Sequence, residues 1–390
     1  MTNLALYLHI PFCMQKCRYC DFLSFSAELS AKQDYLDALR REITAQGRMF
    51  QGNGQYRLYS VFIGGGTPSI IEGGQMEELL STVWDAFGQE PATKEVTLEA
   101  NPGTITRDKI SAWKRAGVTR ISVGVQATQD ALLRRLGRIH TWDEAAEGIL
   151  ALQQADFRSV SVDLMMGLPG QSQEDWDDTL SRIILLSVQH ISCYSLIVEE
   201  GTPFALESIE GSLRLPSDGE ERAMYHNAVQ RLESAGYGQY EISNFARPGF
   251  ECLHNLCYWD LTPYVGLGLG ASSYLEGTRY HNTEDFQTYI SSSRVPEAIQ
   301  EDRLAGTPAS QMEEFMFLGL RKTRGIEARD FQARFGSKIE DVYGGVLNTL
   351  QRKGLIECGE GRVRLTRRGL DFANQVFVEF LLDSEPLRSS

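Results

Sequence analysis

The sequence predicts an α/β fold: a partial (β/α)6 barrel followed by a small C-terminal domain that is mainly helical and winged-helix-like. Three observations predict it. Six strand-like apolar runs alternate with amphipathic helical patterns over the first two thirds of the 390 residues, and such alternation builds a parallel sheet with right-handed crossovers. Six units are fewer than the eight of a closed barrel. Beyond residue 310 the pattern changes to helices followed by a hairpin.

Strands are expected at residues 4–10, 58–63, 95–100, 120–125, 160–165 and 190–197, with helices between them at 31–47, 74–87, 106–116, 142–155 and 173–186. Caps mark the helix starts. Thr106 precedes Asp108 in a first turn, and Ser172 precedes Glu174 and Asp175; the hydroxyls accept from orphan N–H groups and the acids suit the positive end of a helix. Glycines mark helix stops at Gly47 and Gly117. Past residue 200 the alternation loosens. Residues 217–235 read as a helix and 265–274 as a Gly-rich strand, while 291–310, rich in Ser, Pro and charge, reads as a linker. Helices at 312–320, 326–335 and 339–353 then precede a hairpin of 355–358 and 362–366 turned by Gly-Glu-Gly. The expected domains are 1–290 and 311–390, joined by the linker.

Composition narrows the function classes. A hydrophobic content of 42% is enough for a full-sized core. No apolar run reaches the ~20 residues that span a bilayer. The start of the chain lacks a basic segment and a signal-cleavage site, so a cytoplasmic location is expected. The net charge of −14 gives no overall attraction for nucleic acid or anionic lipid. Acidic and basic side chains balance from residue 301 onward, so the winged-helix-like unit lacks the positive charge of a DNA reader. Packing or lid duty is expected of it instead, and no nucleic-acid partner. The oligomeric state stays open.

Chemistry concentrates where such a sheet gathers ligands, at the carboxyl ends of its strands. Cys13 follows the first strand, residues 64–67 (Gly-Gly-Gly-Thr) the second, Glu99 ends the third, Gln126 follows the fourth and Asp163 lies in the fifth. Three of the seven cysteines, Cys13, Cys17 and Cys20, fall within eight residues in a C-x3-C-x2-C pattern. In a reducing compartment such clustering asks for a metal rather than disulfides. Thiolates bind iron–sulfur clusters well. Three ligands can hold three irons of a [4Fe-4S] cubane and leave the fourth open to an amino-acid chelate, such as the methionine end of S-adenosylmethionine. A zinc site with His9 as fourth ligand, or incidental buried cysteines, are the alternatives. Gly64, Gly65 and Gly66 let the backbone approach a ligand, or form a plain tight turn. Glu99 can accept from ribose hydroxyls or form a rim salt bridge.

The runs HIPFC…CRYCDF, GGGTP, EANP, GVQ, DLMMGLPGQ and HNLCYW, taken together, resemble the radical S-adenosylmethionine superfamily. Within it they are most similar to the heme-chaperone group of the coproporphyrinogen dehydrogenase-like branch, over nearly the whole chain. The resemblance implies that Cys13, Cys17 and Cys20 hold the cluster and that Gly65, Gly66, Thr67 and Glu99 line the S-adenosylmethionine pocket. It puts Tyr7, by itself a core aromatic, beside the cluster-bound molecule. Gln126, Arg138 and Asp163 match residues that contact a second S-adenosylmethionine in the enzyme, or else close a buried polar network. His254, in His-Asn-Leu-Cys-Tyr-Trp, is a satisfied core residue or, as the resemblance implies, a ligand for heme iron. Cys252 and Cys257 lie close by in sequence.

Two departures separate the chain from the enzyme. Phe22 stands where the dehydrogenase has a further cysteine, and twelve residues precede Cys13 where the enzyme has a long N-terminal segment. The reading that follows is a heme chaperone with no catalytic residues assigned, handing heme to acceptor hemoproteins, membrane-associated respiratory proteins among the candidates. The alternative is a radical enzyme acting on a tetrapyrrole, as a coproporphyrinogen III dehydrogenase or a methyltransferase.

Overall fold

Near-continuous apolar runs fold as strands covered on both faces. In the computed structural model, which describes residues 1–50, 55–88 and 93–382, β1 (Thr2–Ile10) is followed by α1 (Leu29–Phe50), β2 (Tyr56–Gly65), α2 (Gly73–Phe87) and β3 (Glu95–Ala100). The chain continues through α3 (Arg107–Arg115), β4 (Arg120–Gln126), α4 (Asp130–Leu136), α5 (Trp142–Gln154), β5 (Ser159–Met166), α6 (Gln173–Leu186) and β6 (His190–Ser195). Each strand from β1 to β6 pairs with the next in parallel. The expected caps form: Thr106 Oγ1 accepts from the Lys109 N–H, and Ser172 and Asp175 cap each other reciprocally. Gly117, at φ +91°, takes the chain out of α3 as a helix-stopping glycine does.

Gly47 does not stop its helix. α1 runs through it to Phe50 because its missing side chain lets α1 and α2 touch: a Cβ at Gly47 would lie 2.5 Å from Ala86 Cβ.

Beyond β6 the chain enlarges the sheet at both edges. α7 (Pro203–Ile209) and α8 (Asp218–Ser234) precede β7 (Gly238–Gln239) and β8 (Asn244–Ala246), and β8 pairs antiparallel with β6. α9 (Leu253–Trp259) leads to β9 (Tyr264–Leu267), which lies parallel to β1. β10 (Ser272–Leu275), β11 (Thr278–Asn282), α10 (Phe286–Ser292) and β12 (Gln300–Ala305) follow, and the sheet order is β12-β11-β10-β9-β1-β2-β3-β4-β5-β6-β8-β7. The single strand expected at 265–274 is thus two strands. The chain turns at Gly268 (φ +109°) and Gly270 (φ +65°), with Leu269 N–H held by the Tyr35 hydroxyl at 3.1 Å. The stretch 291–310, read as a linker, holds the end of α10 and all of β12. Its charged side chains point outward from an edge strand paired to β11, and an exposed edge reads like a linker by composition.

The C-terminal unit folds as α11 (Pro308–Gly319), β13 (Ile326–Glu327), α12 (Ala328–Phe335), α13 (Ile339–Arg352) and the hairpin β14 (Ile356–Gly359)–β15 (Arg362–Leu365), ending in α14 (Arg367–Asp371) and α15 (Ala373–Val378). The first two residues of the helix expected at 326–335 are instead β13, which adds a third strand to the hairpin. This is a winged-helix arrangement around its own core of Met316, Leu320, Phe331, Tyr343, Leu347 and Phe380. Among the described residues no helix is long and apolar enough to cross a membrane.

Candidate functional site

The cysteine loop leaves β1 and is closed at its base by backbone. Phe25 N–H donates to the Pro11 carbonyl at 2.8 Å, and Cys13 N–H donates back to the Phe25 carbonyl at 3.1 Å. Phe12 anchors this base, edge-on to Phe25 and Tyr35 at 5.8 and 5.2 Å. Further out, Arg18 N–H donates to the Leu136 carbonyl at the end of α4, at 3.0 Å. The glycines after β2 fit under the loop. Gly66 N–H donates to the Ile10 carbonyl at 2.9 Å, and a Cβ at Gly66 would lie 2.9 Å from Cys13 Sγ.

Above the strand ends is a cavity of about 480 Å³. Cys13, Cys17, Cys20, Gly65, Gly66, Thr67, Glu99, Gln126, Arg138 and Asp163 all line it. Six elements, the ends of β1 to β5 and of α4, therefore deliver their singled-out residues to one place. The thiols are unpaired with one another. Thr67 Oγ1 donates to Cys13 Sγ at 3.5 Å and Arg138 Nη1 to Cys17 Sγ at 3.6 Å. Burial pushes the Cys20 thiol above its ordinary pKa.

His9 is not free to be a fourth ligand. Its Nε2 lies 2.9 Å from the Leu23 carbonyl, which can only accept, so Nε2 carries the proton and Nδ1 accepts from the Tyr7 hydroxyl at 3.1 Å. Among the described residues no three His, Cys, Asp or Glu side chains are arranged to share one metal ion; thiolates that each bind a different iron of a cubane do not have to be. Three thiols on one loop, facing a cavity and without a fourth protein ligand among the described residues, fit a cubane with one open iron.

The floor is acidic and hydrogen-bonded. Burial, then the charge of Asp163, pushes Glu99 up to about 8, while the Gly65 N–H at 3.2 Å opposes the rise. Burial also raises Asp163, against hydrogen bonds from Ser192 and Ser122. A carboxyl pushed up in this way accepts from a polar ligand and, once protonated, also donates. Gln126 sits at φ +69°, where the β4–β5 register shifts. A non-glycine residue held there costs on the order of 1 kcal/mol, the kind of strain that gathers at ligand sites.

Tyr7 and His254 do not line this cavity. Tyr7 lies behind it, its ring 2.9 Å from where a Gly64 Cβ would sit, stacked on Phe62 at 6.2 Å. His254 is 1% exposed. Its Nδ1 meets Ser60 Oγ at 3.0 Å, its Nε2 meets the Tyr258 hydroxyl at 2.9 Å, and burial lowers its pKa to about 3. The ring that the motif offers as a heme ligand is therefore, in this structure, satisfied within the core. Its helix is seated by Glu95, which accepts from the Leu253 and His254 N–H groups at 3.2 and 3.1 Å and takes the Cys252 thiol at 3.4 Å. Cys257 is likewise buried. Trp259, at the end of α9, reaches a second cavity of about 610 Å³ shared with Phe315 and Arg334 of the C-terminal unit.

Sequence reasoning missed Tyr194 and Ile197, which line the mouth of the first cavity. Their position at the end of β6 was the available signal. It also missed α7, which straps the loop. Phe204 N–H donates to the Arg18 carbonyl at 3.1 Å, and Glu207 pairs with both Arg18 and Arg135. Nothing in the local sequence announces that contact.

A parallel strand–helix sheet with three cysteines on the loop after its first strand defines a radical S-adenosylmethionine protein. Residues 7–183 match the family model described as Radical SAM superfamily, and 307–372 the HemN C-terminal domain. Over 379 residues the chain is 37% identical to the heme chaperone HemW of Lactococcus lactis, covering 97% of each chain. It is also 37% identical to the heme chaperone HemW of Bacillus subtilis, covering 97% of this chain and 99% of that one. The chain belongs to the HemW family. The fold is also that of the Escherichia coli coproporphyrinogen III oxidase HemN, a radical SAM enzyme, with a TM-score of 0.84 at 22% identity over 97% of this chain and 90% of the other.

Proposed function

We propose that this protein is a cytoplasmic heme chaperone that binds heme and passes it to acceptor hemoproteins, with a [4Fe-4S] cluster on Cys13, Cys17 and Cys20 and S-adenosylmethionine in the cavity beside it. The observation that carries the reading is similarity along 97% of the chain to proteins named as heme chaperones. The cavity supports the cofactor half. Its three thiols share the lining with Gly65 and Gly66, which bring backbone rather than side-chain bulk, and with Thr67, whose hydroxyl meets Cys13 Sγ. Glu99, at the end of β3 in the same lining, is suited to hydrogen-bond hydroxyls. When bound, such a cluster supplies one-electron reduction of a ligand at its open iron. Phe22, 59% exposed at the cavity mouth where the catalytic dehydrogenase has a further cysteine, offers apolar surface instead of a thiol.

The complete set of lining residues also favours a second reading, a radical enzyme acting on a tetrapyrrole. One experiment separates the two. Anaerobically reconstituted protein is incubated with coproporphyrinogen III, a reductant and S-adenosylmethionine, and separately with heme and an apo-hemoprotein. Stoichiometric heme uptake and handover without protoporphyrinogen support the chaperone; protoporphyrinogen formation overturns it. For His254 to ligate heme iron, the Tyr258 hydroxyl would have to release Nε2 and the ring would have to leave the core. Heme titration of His254→Ala tests this: weaker binding at unchanged iron content makes His254 a ligand, and unchanged affinity leaves it in the core network.

A further inference from the structure

Arg138 is a half-buried cation that no carboxylate pairs among the described residues. Its Nη2 donates to the Gly124 carbonyl at 2.7 Å, its Nη1 points at Cys17 Sγ at 3.6 Å, and its Nε is buried without an acceptor. Taking a guanidinium out of water is costly unless a negative charge replaces the lost hydration. Its charge also favours the ionised form of Asp163, which lines the same cavity.

The backbone sets its position. Gly137, at φ +78°, a conformation that favours glycine, ends α4 directly before it. The guanidinium lies over β4 at Gly124, whose carbonyl it meets.

We propose that Arg138 tunes the iron–sulfur cluster, donating a charged N–H to the sulfur of Cys17 and favouring the reduced cluster over the oxidised one. The proposal rests on the cluster site proposed above. Adding one electron to the cluster adds one negative charge beside the guanidinium, so the fixed cation stabilises the reduced form more. Hydrogen bonds to the sulfurs and local charge are what set iron–sulfur potentials. The competing role is capture of a carboxylate of the small molecule in the cavity, since Arg138 also lines it.

The test compares wild type, Arg138→Lys and Arg138→Gln, each reconstituted anaerobically and assayed for iron and sulfide. Electron paramagnetic resonance follows the cluster through a reductive titration without S-adenosylmethionine, and then reads binding of that molecule to the reduced cluster. In Arg138→Gln the reduction equilibrium constant should fall about tenfold, which is about 59 mV for one electron. Arg138→Lys should recover part of that, because it keeps the positive charge beside the Cys17 sulfur. An unchanged potential in a fully loaded Gln variant overturns the proposal, most clearly if S-adenosylmethionine binding weakens. Should the Gln variant fail to assemble a cluster, an unchanged potential in the Lys variant overturns it equally. Failure of wild type to hold any cluster would sink the cofactor site itself, a different outcome.

Discussion

Glu42 carries its carboxylate on the buried face of α1, at 0% exposure, where three donors meet it. Tyr289 donates at 2.6 Å, Asn282 at 2.7 Å and the Gly268 N–H at 2.8 Å, so one side chain ties α1 to α10, β11 and the β9–β10 turn. Burial pushes its pKa up to about 7 from 4.5, with the donors opposing. A carboxyl that binds its proton more tightly folded than unfolded stabilises the folded state at low pH. That contribution is complete below about 4.5 and is lost as pH rises to about 7. At 1.36 kcal/mol per unit the loss is roughly 3 kcal/mol at most. Glu42→Gln cannot ionise and should gain on wild type between pH 5 and pH 8 by an amount up to that size. Urea unfolding of both proteins at the two pH values checks it, and parallel pH dependence would reject the assignment. Glu42 was not legible in the sequence, because a glutamate inside an amphipathic helix reads as its solvated face. His254 misled in the opposite direction. Its motif suggested a ligand, but Ser60, 194 positions away in the chain, takes one of its nitrogens.

At the scale of elements, the strands and helices of the parallel core were legible to within a few residues apart from the short α4, which the sequence analysis did not give, since burial on both faces leaves a continuous apolar run with helical periods between. The carboxyl-end rule then placed most of the candidate site without a structure. What the sequence hid were contacts between distant elements. Gly47 reads as a helix stop, yet it is the seat of the α1–α2 contact. Gly→Ala inside a helix ordinarily gains about 0.5–1 kcal/mol. Here the new methyl would sit 2.5 Å from Ala86 Cβ and 2.7 Å from the Ala86 carbonyl oxygen, which a helix backbone cannot withdraw cheaply. Overpacking costs roughly 1–3 kcal/mol, so Gly47→Ala should destabilise by about 1 kcal/mol net, where helix propensity alone predicts a rise. Thermal unfolding decides the sign. α7 is a second such contact. Arg135 and Arg18 pull Glu207 down to about 2, and both guanidiniums lie over the Phe204 ring. Glu207→Ala should leave the melting temperature nearly unchanged and speed loss of cluster iron to a chelator several-fold. An unchanged release rate would mean that α7 does not hold the loop.

Across the whole molecule, both extensions of the sheet and the docking of the C-terminal unit come from residues after 200, where short antiparallel strands carry too little periodicity to be read. The docking surface combines the packing of Ile242 against the C-terminal core with polar contacts. Thr323 N–H donates to the Tyr240 carbonyl at 3.0 Å, Asp371 meets Arg222 and His226 at 2.9 and 2.8 Å, and Lys322 pairs with Asp260. These pairs are unequal. Those of Asp371 reach half-exposed partners, and an exposed pair contributes about 0–1 kcal/mol. Lys322 is 6% exposed, and Asp260 is its ion-pair partner in the structure. Removing the partner of a buried charge costs about 3–5 kcal/mol, whereas replacing the whole pair by apolar atoms is often neutral. Asp260→Ala should therefore loosen the C-terminal unit far more than Asp371→Ala, so that calorimetry resolves a separate, earlier transition for the unit built on Met316, Phe331 and Tyr343. Adding Lys322→Met to Asp260→Ala should restore most of the lost cooperativity, since no ammonium is then left stranded. If the double variant is no better than Asp260→Ala alone, the interface depends on Asp260 through its other partner, the exposed Arg324 at 3.4 Å, and burial of Lys322 is not what couples the two units.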